Sequence, residues 1–150
     1  MAKKSDRLKR VQSIAESEEQ TYCRAMGEAQ RALNEHQRQL EELKSYRKDY
    51  ALKRNPGKAG TTISSAQYSD YQSFLQRLDD AVHAQSETVR TTAENRDAHR
   101  ARWMVKRQKM ESLKRVVDRY QLDETQELER LEQKLQDELP SADDPFRHSS

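Results

Sequence analysis

Residues that break helices are few in this chain and fall in two places. Pro56, Gly57 and Gly60 sit within residues 55–65, Pro140 and Pro145 lie near the end, and Gly27 alone interrupts what remains. Two tracts are thereby left free to run as helices. They are expected over about residues 5–53 and 65–139, with a loop at about 54–64 and a disordered tail at about 140–150. At a rise of ~1.5 Å per residue they would reach about 70 and 110 Å, so residues 1–150 read as one elongated domain.

Such helices need something to pack against, and the chain can supply only a narrow seam. Hydrophobic residues make up 33% of it and charged residues 36%, too lean a mixture to enclose a broad core. The seam is clearest in the second tract, where Tyr68, Leu75, Val82, Val89, Arg96, Trp103, Met110, Val117, Glu124 and Leu131 recur every seven residues, and eight of the ten are apolar. Tyr71, Leu78, Leu113 and Tyr120 complete it at both ends, whereas Gln85, Thr92, His99 and Lys106 leave its middle polar and weaker. The first tract carries a drifting stripe through Leu8, Val11, Ala15, Tyr22, Met26, Ala29, Leu33, Leu40 and Leu43.

A short loop between two such helices folds them back on each other. The fold class expected is therefore all-α, a long antiparallel two-helix coiled coil. Leu43 is expected near Leu75 and Ala15 near Trp103, so that the first helix runs out near Leu113. A C-terminal overhang of roughly 25 residues, with Val116, Val117, Tyr120, Leu128, Leu131 and Leu135, is then left without an intrachain partner and marks a contact site or self-association. The turn is specified chemically: Ser64 can cap the second helix, Gln67 can reach back to its N–H, and Ile63 can staple onto Tyr68. Ser5 and Asp6 are the candidate caps of the first helix. Gly27 costs it about 1 kcal/mol, with no reason visible in the sequence.

No chemistry of catalysis is legible. His36, His83, His99 and His148 are scattered, and there is no HExxH, CxxC, glycine-rich phosphate loop or serine nucleophile elbow. A slender coiled coil also offers no pocket that excludes water. The chain is read as not an enzyme, with no cofactor and no metal. Cys23 is the only cysteine, and no apolar signal segment or membrane span is visible, which suits the cytoplasm. A net charge of +2 is too small for a dedicated nucleic-acid binder, which must neutralise many phosphates.

Charge and aromatic residues are nonetheless unevenly placed. Lys3, Lys4, Arg7, Lys9 and Arg10 are expected beside Arg102, Lys106, Arg107, Lys109, Lys114 and Arg115, making the end with the chain termini basic and suited to an acidic partner, if not merely a solvated face. Asp123, Glu124, Glu127, Glu129, Glu132, Asp137 and Glu138 reverse the sign beyond it, as a solubilising tail or a binding surface. Tyr46, Tyr50, Tyr68, Tyr71 and Phe74 crowd the loop end. Tyr68 and Tyr71 read as a clamp on the hairpin, while Phe74 and Ala81, one position before the core ones, are expected with Leu78 as a ridge reaching the surface. On that placement Phe74 is dispensable to the hairpin and Leu75 is not.

The run SYRKDY at 45–50, the Gly-containing loop, YQSFLQRLDDA at 71–81 and WMVKRQKMESLKRVVDRY at 103–120 together resemble the FliJ family of flagellar type III export proteins, over essentially residues 5–120. That resemblance implies a non-enzymatic, cytoplasmic stalk with a chaperone-like role at the flagellar base, peripheral to the inner membrane through protein contacts. Its implied partners are the hexameric export ATPase FliI, whose assembly it supports, the cytoplasmic domain of the export gate FlhA, and export chaperones, but no nucleic acid. The family's gate-binding surface would fall on Gln39, Leu43, Tyr46, Tyr50, Phe74, Leu78 and Ala81. The basic end, with Lys3, Lys4, Arg7, Lys9, Arg10, Arg107, Lys109, Lys114 and Arg115, suits the ATPase ring. The residues alone leave open the equivalent stalk of a virulence-type secretion system, a structural coiled coil that self-associates through its overhang, and a nucleic-acid-binding arm.

Overall fold

A computed structural model describes residues 3–57 and 62–139; residues 58–61 of the loop and the tail expected at 140–150 lie outside the described residues. Two helices, α1 (Lys4–Lys53) and α2 (Ser65–Glu138), account for nearly all of it, with no strand among the described residues. They pack against each other as an all-α helical hairpin, in two compact units. One comprises Gln20–Val105, the other Met1–Glu19 with Lys106–Ser150.

The loop is closed by its own polar side chains. The Ser64 amide donates to Gln67 Oε1 and the Gln67 amide to Ser64 Oγ, both at 3.1 Å, a reciprocal capping box that satisfies two donors helix geometry leaves unpaired. On the other side the Gly57 amide donates to Asn55 Oδ1 at 3.0 Å, an Asx turn directly after α1.

In the unit of Gln20–Val105 the core is a thin line: Ala29, Leu33 and Leu40 of α1 against Tyr71 and Leu78 of α2. Its middle is polar, as the composition of the seam requires, but it is paired. Gln85 Nε2 donates to the His36 carbonyl at 2.9 Å, and Arg96 Nη1 to Gln30 Oε1 at 2.7 Å. A partly buried polar group with a partner costs little, and one without a partner costs far more. In the other unit Ala15 and Val117 are buried, and Lys106, half-buried at a seam position, reaches Glu18 Oε2 at 3.1 Å. That contact, with the charges of Lys106 and Lys109, holds the Glu18 carboxyl below its ordinary range.

The pairing register differs from the one expected. Arg47 bonds Asp79 through Nε at 2.9 Å, and Tyr50 lies on Phe74, so α1 is displaced by about one and a half to two turns relative to the pairing of Leu43 with Leu75. The physical reason lies at the loop. Tyr71, not Tyr68, closes the end: its ring stacks on Tyr50 at 5.7 Å and its hydroxyl donates to the Ala51 carbonyl at 3.0 Å. That carbonyl is among the last four of α1, which have no partner within the helix. The first turn of α2 therefore extends past the last turn of α1, and Tyr68 is left 48% exposed.

The same displacement corrects the overhang. α1 begins opposite Glu124 rather than near Leu113, since Ser5 hydrogen-bonds Glu124 and the Lys4 ammonium sits 4.9 Å from the centre of the Tyr120 ring. Val117 is 3% exposed. Val117 and Tyr120 thus belong to the paired seam, and only the part of α2 past Leu128, up to Glu138, extends beyond the first turn of α1.

Candidate functional site

Two surfaces carry the residues singled out from the sequence, and each is built within one unit. The first lies at the loop end. Gln39, Leu43, Tyr46 and Tyr50 follow one another at spacings of four, three and four, which keeps them on one face of α1, and Phe74, Leu78 and Ala81 do the same on α2. The register then brings the two rows side by side. At one end the Tyr50 and Phe74 rings meet at 4.5 Å between centroids; at the other Gln85, one step beyond Ala81, donates from Nε2 to Gln39 Oε1 at 3.4 Å. All seven residues fall on one continuous strip.

Within the strip the roles differ by depth. Tyr46 is 53% exposed, its nearest ring being Tyr50 at 6.5 Å. Gln39, Leu43, Tyr50, Phe74 and Ala81 are half-buried. Leu78 is buried at 8% exposure, which corrects its assignment to a surface ridge: it lies on the seam position that faces α1, beneath its neighbours. Phe74 is likewise less free than its place beside the seam implies, because it leans on Tyr50. Tyr50 itself is the centre, touching Tyr46, Tyr71 and Phe74. A shallow groove beside it is lined by Tyr46, Asp49, Tyr50, Lys53 and Arg54. Sequence reasoning did not find Asp49, Lys53 or Arg54, although their spacing from Tyr46 and Tyr50 puts them on the same side of a helix.

The second surface is basic, at the end where α1 starts. Lys3, Lys4, Arg7, Lys9 and Arg10 are all exposed, as are Arg107, Lys109, Lys114 and Arg115. They converge only in part. The register that places Lys4 on Tyr120 sets Arg10 level with Lys114 and Lys9 with Arg115, whereas Lys109 and Arg107 lie level with Ala15 and Ser17. Arg107 is held by Glu111 at 3.2 Å and Arg115 reaches Ser112 Oγ at 3.4 Å. The first residues of α1 lie not beside Arg102 and Lys106 but against Gln121, Glu124, Thr125 and Leu128.

Glu124 is the residue the sequence hid. It falls in an acidic run that reads as a solvated tail, yet it closes the start of α1. The Ser5 hydroxyl donates to Oε2 at 2.6 Å and the Ser5 amide to Oε1 at 3.3 Å, and Ser5 is only 2% exposed. A carboxylate there satisfies an unpaired first-turn donor and faces the positive end of the helix dipole. The Ser5 hydrogen bond, aided by the charges of Lys3 and Lys9, holds the Glu124 carboxyl below its ordinary value.

Among the described residues no group of three or more His, Cys, Asp or Glu side chains is placed to hold a metal ion, and no helix is long and apolar enough to cross a membrane. Cys23 is half-buried and forms no disulfide.

A family model described as "Flagellar FliJ protein" matches residues 3–142 of the chain. The chain is similar to the flagellar FliJ protein of Salmonella typhi, with 26% identity over 132 residues, 88% of this chain and 89% of the relative. It is also similar to the flagellar FliJ protein of Escherichia coli K12, with 25% identity over 132 residues and the same coverage of both chains. No solved structure matches it significantly.

Proposed function

The chain belongs to the FliJ family of flagellar proteins, and we propose that within flagellar protein export it is a non-enzymatic stalk that ties the export ATPase to the export gate. In this reading the basic end supports assembly of the FliI hexamer, and the strip at the loop end docks on the cytoplasmic domain of FlhA. Export chaperones are further partners. The protein sits in the cytoplasm, held at the inner membrane under the flagellar base by protein contacts alone. Family membership favours this reading over the virulence-type stalk and over a self-associating scaffold.

The observation that carries the proposal is the strip itself. Seven residues from two helices, distant in sequence, are brought level by a register that aromatic packing enforces, and the most exposed of them is a tyrosine. Half-buried aromatics on a rigid support make good interface anchors, because little conformational entropy is lost when they dock. Tyr46 separates binding from folding most cleanly, being exposed and lightly packed. Tyr46→Ala should weaken binding to the gate's cytoplasmic domain by about 2 kcal/mol, as interface anchors commonly do, with the melting temperature unchanged. Full-affinity binding by this variant in a titration would remove the loop end from the gate. For the other end, reversing Arg7, Arg10, Lys114 and Arg115 to Glu should abolish stimulation of the ATPase at moderate salt while helicity is kept. Undiminished stimulation would show these charges to be merely solvated.

A further inference from the structure

Beyond Glu124, α2 continues a stripe that α1 no longer covers. Val117, Gln121, Glu124, Leu128, Leu131 and Leu135 follow at alternating spacings of four and three, one unbroken coiled-coil face. Where α1 lies on that face Val117 is 3% exposed; past the start of α1, Leu128, Leu131 and Leu135 are 53, 48 and 60% exposed. Shallow grooves run along them, one from Tyr120 over Leu128 to Leu131, another from Leu131 to Leu135. α1 starts at Lys4 with Ser5 already fixed on Glu124; Leu128 borders its first turn, and Leu131 and Leu135 lie past it.

We propose that this face binds a basic amphipathic helix of a partner protein, about two heptads long, which takes over the seam where α1 leaves it. The charges bordering the leucines choose the occupant. Glu127 and Glu132 flank the stripe and Glu138 lies on it one heptad after Leu131, while Asp123 and Glu124 line the groove at Tyr120; the cations beside them are Lys134 and Lys3. Arg130 lies on the opposite side of the helix and is engaged by Glu127 at 2.6 Å. Residues 123–138 carry seven acidic side chains against two basic ones, so two copies of this segment repel each other, and an anionic membrane surface is repelled for the same reason. A helix with apolar residues at its core positions and Lys or Arg beside them covers the leucines and meets an opposite charge on both flanks. The inference stands on this end of the chain alone and does not require the stalk reading.

The full chain should be titrated with two synthetic two-heptad peptides of identical apolar core, one carrying Lys and the other Glu at the flanking positions. The Lys peptide should bind at least about tenfold more tightly, equivalent to about 1.4 kcal/mol. Leu131→Ser with Leu135→Ser should abolish its binding without altering the melting of the paired seam. Glu127→Lys, Glu132→Lys and Glu138→Lys together should invert the preference, a result that simple loss of fold cannot mimic. Equal binding of the two peptides, or binding indifferent to the leucines, would overturn the proposal. So would sedimentation of the unliganded chain as a dimer that Leu131→Ser dissociates, since the occupant would then be a second copy.

Discussion

The two ends of the helix pair are closed by opposite chemistry. At the loop, Tyr50, Tyr71 and Phe74 stack and Tyr71 reaches a helix carbonyl; at the start of α1, one carboxylate, Glu124, holds one buried serine. The first closure is wide and largely apolar. The second is narrow and ionic. An aromatic cluster can therefore carry a docking surface without losing its grip on the fold, whereas the Glu124 contact answers to its ionic surroundings.

That contrast can be broken most forcefully at Tyr71. Tyr71→Ala deletes a buried ring and should cost about 3–5 kcal/mol in urea or thermal unfolding, while Tyr71→Phe, which loses only the bond to the Ala51 carbonyl, should cost about 1 kcal/mol. If the two variants melt alike, the hydrogen bond and not the stacking closes the loop end. Phe74→Ala comes next. Resting on Tyr50 but half-exposed, it should cost about 2 kcal/mol, rather than nothing as its position beside the seam suggests.

The start of α1 should respond to acid instead. Glu124 has a folded pKa lowered below its ordinary value of 4.5, so the unfolded chain binds the proton more readily. Its contribution is complete above the ordinary value and is lost as the pH falls through the lowered one. Amide exchange in the first turn of α1 should therefore accelerate in that acid window, and in Glu124→Gln at neutral pH, while amides around Tyr50 and Tyr71 stay protected. Uniform acceleration along both helices would erase the distinction. The smallest effect is expected at Gly27, which belongs to neither closure. A Cβ there meets only Arg31 Nη1, at an ordinary 3.8 Å, so Gly27→Ala should stabilise α1 by about 0.5–1 kcal/mol and leave both ends as they are.

How much of this the sequence disclosed depends on whether the signal was periodic or local. The heptads of α2 and the Ser64–Gln67 box depend on residues near one another in the chain, and they give the hairpin directly. At the loop end the row of Phe74, Leu78 and Ala81 was legible from helical spacing, whereas Gln39, Leu43, Tyr46 and Tyr50 as its companions came from the family resemblance. The register was not. It depends on which tyrosine reaches Ala51, and Tyr68 and Tyr71 are equally good by composition. From that one ambiguity came the misplaced overhang and the overestimated convergence of the basic residues, whereas the burial of Leu78 follows from its own seam position, which should have outweighed its place in the ridge. Glu124 was half hidden for a related reason: its heptad position sets it apart from most of the seven acidic residues in 123–138, but only the register shows that Ser5 is its partner.

The bonds from Gln85 to the His36 carbonyl and from Arg96 to Gln30 bear on how the chain finds this pairing at all. Two apolar stripes can slide past each other by a heptad and still match leucine to leucine, so a purely greasy hairpin has several nearly equivalent slips. Each slip here would part Gln85 from the His36 carbonyl and Arg96 from Gln30, and a half-buried amide left without a partner costs about 1–3 kcal/mol. Polar residues that contribute little to the grip of the helices thus work as registration marks, admitting one alignment and penalising its neighbours. A variant with Gln85→Leu and Arg96→Leu should trade that single alignment for a tighter but promiscuous seam, visible as several refolding phases where one is expected of the parent chain.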